Sequence, residues 1–362
     1  MGAEHLKPLT SLRFIAAMWV VLFHWWPKAD FGPMPAFVEK GYLGVELFFI
    51  LSGFILCHVY LDQAGEGRFR YGGFLWNRLA RVFPLHLFTT VGVGLLAGAA
   101  LLAGLAVDGN VLHWESLPAN LLMVHAWGVT DTAGWNHPSW SISAEWFAYL
   151  TFPIFAALAW GLRNRPLVAA GLGIAALFGG YALYRALTGM ELTLATFAGG
   201  AFRIVPPFAF GCAVFLLWRS GVVADARRAL AVLFASLGGV LAATSSGAPD
   251  ALTVTFLGGL ILGLAGLSST ARNPLSAAPL VYLGEVSYSV YMICIPWQLV
   301  AVNGAQKLLG TEALPLWAWL PLVLAIPALA AGSYHLVERP ARKLMRAFAA
   351  RRRGEGEAVQ IA

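Results

Sequence analysis

Among the ionisable side chains in or bordering the apolar runs of this 362-residue chain, five could act together: Arg13, His24, Glu46, Glu145 and Arg203. Charge in such surroundings is costly, so each is a candidate for function and needs a partner. Arg13 and His24 share one run, separated on a helix by about 16 Å and by three turns plus roughly 20°, which puts them on one face. Glu46 follows in the next run, and Glu145 lies in WSISAEWF with Trp140, Ser141 and Ser143 as neighbours. A carboxylate beside an imidazole fixes its tautomer and raises its basicity, as a general base acting on an alcohol requires. Read singly, Arg13 is a flanking charge and His24 an interfacial histidine beside Trp25 and Trp26. Read together, His24, Glu46 and Glu145 fall on three helices at similar depth, as a reacting group or as a polar cluster holding helices together. Arg203 opens its run and can pair with one of these carboxylates, meet an acidic acceptor, or snorkel to the interface.

The elements that position these groups follow from composition. With 59% hydrophobic residues, 12% charged residues and a mean hydropathy of +0.71, the chain has too little polar surface to enclose a soluble core. About ten runs are long enough for a helix to cross a hydrocarbon layer of about 30 Å. They fall near 10–26, 42–61, 84–107, 140–161, 166–187, 204–218, 229–245, 251–268, 280–302 and 314–337. The sequence thus predicts an all-α, polytopic membrane protein. The piece at 117–127 is too short to span and reads as outer loop with a short interfacial helix.

Charge orients the bundle. An even number of spans places both termini on one side, and with that side cytoplasmic the basic residues should gather in alternate loops. Of the 24 Lys and Arg, only Lys28, Lys40, Arg185, Arg203 and Lys307 fall elsewhere, Arg272 and the run from Arg339 to Arg353 being counted inside. The net charge of +6 is then a basic inner face and attraction to anionic lipid rather than a nucleic-acid surface. The segment FRYGGFLWNRLARVFP, ending at Pro84, reads as an amphipathic helix on the inner membrane surface. The first run lacks a signal-peptide h-region and cleavage site and is expected to remain as a helix. One membrane domain over 1–346 and a basic cytoplasmic tail over 347–362 are expected, and no internal repeat is visible. Cys57, Cys212 and Cys294 lie within spans without metal-ligand spacing and read as small packing residues, so no metal is expected.

The segments LTSLRFIAAMWVVLFHWW, GYLGVELFFILSGFIL, WNRLARVFPLHL, PSWSISAEWFAYLTFP, LGEVSYSVYMICIPW and YHLVERPARK together resemble the acyltransferase-3 family, whose members modify surface polysaccharides and other extracytoplasmic acceptors. They reach from Leu9 to Lys343. The resemblance implies an O-acyltransferase of the bacterial inner membrane, with His24 essential and Arg13 its companion. It implies that Arg78 and Arg81 help bind the donor, that Glu46 is the acidic residue before LFF, and that Ser52 and Gly53 belong to the same motif. It also implies an acyl-CoA donor, acetyl-CoA being the common case, a glycan or lipid-linked saccharide as acceptor, and polysaccharide-assembly proteins as possible partners. Relatives often carry two adjacent acids where Glu145 is here followed by Trp146. Several also carry an esterase-like C-terminal domain, for which this chain is too short.

Geometry gives these roles a mechanism. Guanidinium forks hold phosphate bidentately, so Arg78, Arg81 and Arg13 suit the nucleotide end of acyl-CoA. A pantetheine arm of roughly 15–20 Å matches the about 16 Å from Arg13 to His24. His24, oriented by Glu46 or Glu145, would deprotonate an acceptor hydroxyl or would itself be acylated first. A transporter or lipid-linked saccharide flippase is the rival reading, since intramembrane Arg, His and Glu also mark transport paths; a scaffold in a polysaccharide-export complex is a third.

Overall fold

The computed structural model describes residues 6–130, 132, 134–268 and 273–352. Arg272 and residues 353–362, both used in the charge argument, lie outside them. The long helices are α1 (Lys7–Trp25), α2 (Gly44–Gly65), α3 (Tyr71–Leu102), α4 (Trp140–Gly161), α5 (Pro166–Thr188) and α6 (Gly200–Arg219). They continue as α7 (Ala226–Ser245), α8 (Asp250–Gly266), α9 (Ala278–Leu309), α10 (Leu316–Ser333) and α11 (Arg339–Arg352). Among the described residues nine helical segments are long and apolar enough to cross a membrane, and α8, at 17 residues, is a shorter apolar helix. Every apolar run of the sequence is thus a helix. The piece at 117–127 contains only Leu117–Leu121 as α-helix.

Two elements differ from expectation. The basic segment before Pro84 does not lie flat as a separate surface helix: it is the first part of α3, continuous through Pro84 for 32 residues. At about 1.5 Å per residue α3 is about 48 Å long, well over the hydrocarbon thickness, so its arginine-bearing turns project on the axis of the span. A proline withdraws one amide from the ladder, which a packed membrane helix tolerates without ending. The arginine-bearing turns pack against α11, where Trp76 Nε1 donates to the Met345 carbonyl at 2.8 Å. The tail expected from 347 is, as far as Arg352, the last turns of α11. Between α10 and α11, residues Tyr334–Glu338 form a π-helical turn, an insertion that re-aims side chains and recurs at functional sites.

The bundle is built around α2 and α6, which pack along each other, while α1 packs along α9 and α7 along α8. Small residues permit the close approach, as expected where lipid supplies no hydrophobic drive between helices. A Cβ at Gly53 would overlap the Phe208 carbonyl oxygen, one at Gly211 the Ile50 carbonyl, and one at Gly284 the Thr10 carbonyl. These contacts fix α2 against α6 and α1 against α9, and so hold the helices that carry Glu46 and His24.

Candidate active site

His24 lies one residue from the end of α1. Its Nδ1 stands 2.9 Å from the Val20 carbonyl oxygen. A carbonyl can only accept, so Nδ1 carries the proton and Nε2 keeps its lone pair. From α9, Gln298 Nε2 donates to the His24 carbonyl at 2.7 Å. The ring borders a cavity of about 120 Å³ shared with Tyr42, His137, Trp140, Thr193 and Arg203. That is well under the 300–1,000 Å³ of pockets enclosing drug-sized ligands and suits a reacting group rather than a nucleotide.

The cavity's second imidazole is His137, with ring centroids 6.3 Å from His24. It arrives from a segment that dips inward before α4. Asn136 Nδ2 donates to the Met292 carbonyl of α9 at 3.0 Å. Ser139 Oγ pairs with His125 Nε2 at 3.0 Å, and the Ala126 amide donates to Ser143 Oγ at 3.0 Å. The fold therefore presents His137 to His24 from an element whose sequence looks like loop. At the rim, Asp250 accepts from Lys40 at 2.7 Å and Tyr42 at 2.9 Å, and also from Thr193, closing the start of α8 over the cavity wall.

Arg203 is 2% exposed and does not snorkel. Its Nε donates to Glu46 Oε1 at 2.5 Å and Nη2 to Oε2 at 2.9 Å. Nη1 donates to the Ala195 carbonyl at 3.1 Å, and the guanidinium carbon sits 4.5 Å from the Trp140 ring centroid. Glu46 is thus committed to Arg203, an arrangement that lets a buried charge exist beside the cavity.

Glu145 is not level with His24 and Glu46. It accepts from Ser52 Oγ at 2.6 Å and from Tyr149 at 2.5 Å. Ser52 stands six residues, about 9 Å, further along α2 than Glu46. The cause is the same segment before α4, which Asn136 ties to the Met292 carbonyl within α9. Glu145 belongs instead to a second cluster toward the arginine-rich end. Arg13 there interacts electrostatically with Arg81, Glu145, Glu338 and Tyr149. Arg78 lies 5.9 Å from the Tyr60 ring and 6.0 Å from the Phe74 ring, its Nε buried without a hydrogen-bond partner. Glu338, set by the π-turn, accepts from Ser289 Oγ at 3.0 Å and lies 3.7 Å from Arg342.

The two clusters are joined along α4. Ser141, Glu145 and Tyr149 recur every fourth residue, one inclined row of the surface of α4, and His137 stands four residues before it in the 3-10 turn His137–Ser139 that leads into the helix. Midway, Ser141 Oγ donates to the Tyr291 hydroxyl of α9 at 2.9 Å. Of the residues singled out from sequence, the fold places His24 and Arg203 on the cavity, with Glu46 behind Arg203. It places Arg13, Ser52, Arg78, Arg81 and Glu145 in the deeper cluster. His137, Asp250 and Glu338 were missed. For His137 the fourfold spacing with Ser141 and Glu145 was a readable signal, whereas the contacts of Asp250 and Glu338 depend on distant helices. The three cysteines are buried.

This arrangement spans residues that match, from 8 to 335, the sequence profile described as an acyltransferase domain. The chain belongs to the acyltransferase-3 family. It is 30% identical to the acyltransferase MdmB of Streptomyces mycarofaciens over 94% of this chain and 92% of that one. Identity is 29% to the exopolysaccharide production protein ExoZ of Rhizobium meliloti, covering 89% of this chain and 95% of the relative. It is 24% to the putative peptidoglycan O-acetyltransferase YrhL of Bacillus subtilis, covering 94% of this chain but 55% of that protein. No solved structure matches. As a member of the acyltransferase-3 family with this helical bundle, the protein is an integral membrane acyltransferase.

Proposed function

We propose that the enzyme moves an acyl group, acetyl in the simplest case, from cytoplasmic acyl-CoA to a hydroxyl of an extracytoplasmic glycan or lipid-linked saccharide, in the bacterial inner membrane with both termini cytoplasmic. The observation that carries the reading is the contact of His24 Nδ1 with the Val20 carbonyl beside the cavity: a proton held there leaves Nε2 as the free base. The acceptor hydroxyl gives its proton to Nε2 as its oxygen bonds to the thioester carbon. When the carbon–sulfur bond breaks, the imidazolium returns that proton to the thiolate. His137, across the cavity, is placed to hold the acceptor hydroxyl or the carbonyl oxygen.

Arg78, Arg81 and Arg13 would take the donor's phosphates, with the pantetheine arm running beside Ser52, Glu145, Ser141 and Tyr291. That polar row supports a path between the clusters, and relatives named for acyl transfer and for exopolysaccharide production support the reaction and its acceptor class. Purified protein should transfer label from acetyl-CoA to a glycan acceptor. His24→Ala should lower the rate at least about 10²-fold without loss of folded protein; near-normal transfer by this variant would end the mechanism.

A further inference from the structure

We infer that α11, which lies beyond the residues matched by the family, completes the donor site: Arg342 and Arg346 join Arg78 and Arg81 in binding the phosphates of the nucleotide end of acyl-CoA. The inference rests on the acyl-CoA reading above and adds residues to which the resemblance gives no role: Arg342 lies near the end of the YHLVERPARK segment, and Arg346 lies beyond it and beyond the profile match, which ends at residue 335.

Arg78 and Arg81 lie one turn apart on α3, and Arg342 and Arg346 one turn apart on α11. The helices are locked at this level by the Trp76 to Met345 hydrogen bond. Arg346 is consequently near Arg342, Arg78 and Arg81, like charges whose repulsion a bound anion would relieve. With Arg13 the cluster holds five guanidinium groups against two carboxylates, Glu145 and Glu338. The excess is positive, and it is not spread on the surface. The Nε atoms of Arg78 and Arg346 are both buried without a hydrogen-bond partner, one from each helix of the α3–α11 pair.

A lipid headgroup is the other phosphate source. The exposed flank of α11 serves it better: Arg339 and Lys343 face outward there, beside the exposed Leu336 and Leu344, the pattern of a helix lying against anionic lipid. Arg342 and Arg346 adjoin them on the helix but are only partly exposed, Arg342 beside Glu338 and Arg346 with its Nε buried. A ligand with a pyrophosphate and a separate phosphate supplies the several anionic oxygens that converging forks require.

The test uses the full-length enzyme in nanodiscs, measuring CoA affinity by calorimetry and the KM for acetyl-CoA. The double variant Arg342→Gln/Arg346→Gln should weaken CoA binding and raise KM by about 10- to 100-fold, with kcat changed less than about 2-fold. Lys343→Ala should change neither, and His24→Ala should keep wild-type CoA affinity while losing transfer. Should the double variant fail to fold, Arg346→Lys, which keeps charge but not the fork, should still raise KM by at least about 3-fold. Wild-type CoA affinity in the double variant, or in Arg346→Lys when only that folds, overturns the inference and leaves the proposed reaction standing. A defect confined to discs containing phosphatidylglycerol and absent in pure phosphatidylcholine overturns it in favour of lipid. Failure of the wild type to bind CoA removes the donor assignment and this inference together.

Discussion

Glu46 and Arg203 offer a prediction whose size follows from their geometry. Both side chains are shut off from solvent, at 0% and 2% exposure, and they share two charge-assisted hydrogen bonds at 2.5 and 2.9 Å. Glu46→Leu leaves the guanidinium buried with its charge uncompensated and two donors without acceptors. Breaking one side of such a pair costs about 3–5 kcal/mol. Removing both charges with side chains of similar volume, Glu46→Leu/Arg203→Met, strands no charge, only the Ala195 and Tyr42 carbonyls losing a donor, and should cost under about 1.5 kcal/mol. The double variant should therefore be more stable than Glu46→Leu alone by at least about 1.5 kcal/mol. Reversible unfolding by SDS in mixed micelles, followed by tryptophan fluorescence, reads this directly because Trp140 stacks on Arg203. A double variant whose loss equals the sum of the two single losses would refute the pairing as the reason for Glu46. A stable double variant without acyl transfer would instead give Glu46 a direct part in the chemistry.

Other outcomes are fixed by the same structure. His137→Asn should lower kcat by about 10- to 100-fold, the loss of one hydrogen bond at a reacting centre, while the KM for acetyl-CoA stays within about 2-fold; an unchanged kcat removes His137 from the site. Gly53→Ala should destabilise the bundle by about 1–3 kcal/mol or more in the same SDS assay, because the added methyl meets the Phe208 backbone rather than a movable side chain. His125, in the connecting segment before α4, is pushed from 6.5 down to about 3 by burial and by its neighbour His86. The unfolded chain therefore binds the proton first, so stability is full above about pH 6.5 and falls by up to about 1.4 kcal/mol per unit as the pH drops toward 3. His125→Gln should flatten that slope, measured by SDS unfolding between pH 4 and 7; an unaltered slope would show that another group carries it.

Helix content and the residues on α1 were legible because they rest on local rules. An apolar run has few ways to satisfy its amides in lipid, and the spacing of Arg13 and His24 is a property of one helix. Depth across helices was not legible in the same way. Glu46 and Glu145 stand at similar distances from the starts of their apolar runs, yet the connection before α4 enters the bundle, and Glu145 ends beside Ser52. That entry is made by polar contacts of Asn136, Ser139 and Ser143 with distant backbone and side chains. No periodicity in a single segment encodes them.

The inward dip also explains why the site has its present composition. A histidine near the end of α1 can meet a second imidazole only if another chain segment descends to its level, and a descending segment must satisfy its backbone away from water. Ala126, Trp127 and Asn136 do so through bonds to α4, α6 and α9, and His137 is delivered as a by-product of that anchoring. The descent in turn sets the register of α4, so its polar row begins at the His24 cavity and runs to the arginine cluster. One structural feature thus links His24, the proposed base, with the second imidazole and the polar row toward the arginine cluster. Disturbing it should affect all three together: Asn136→Leu, which removes the bond to Met292 without touching His24 or an arginine, should lower kcat and raise the acetyl-CoA KM in the same variant. An Asn136→Leu enzyme with both constants unchanged would show that the row and the cavity are positioned independently.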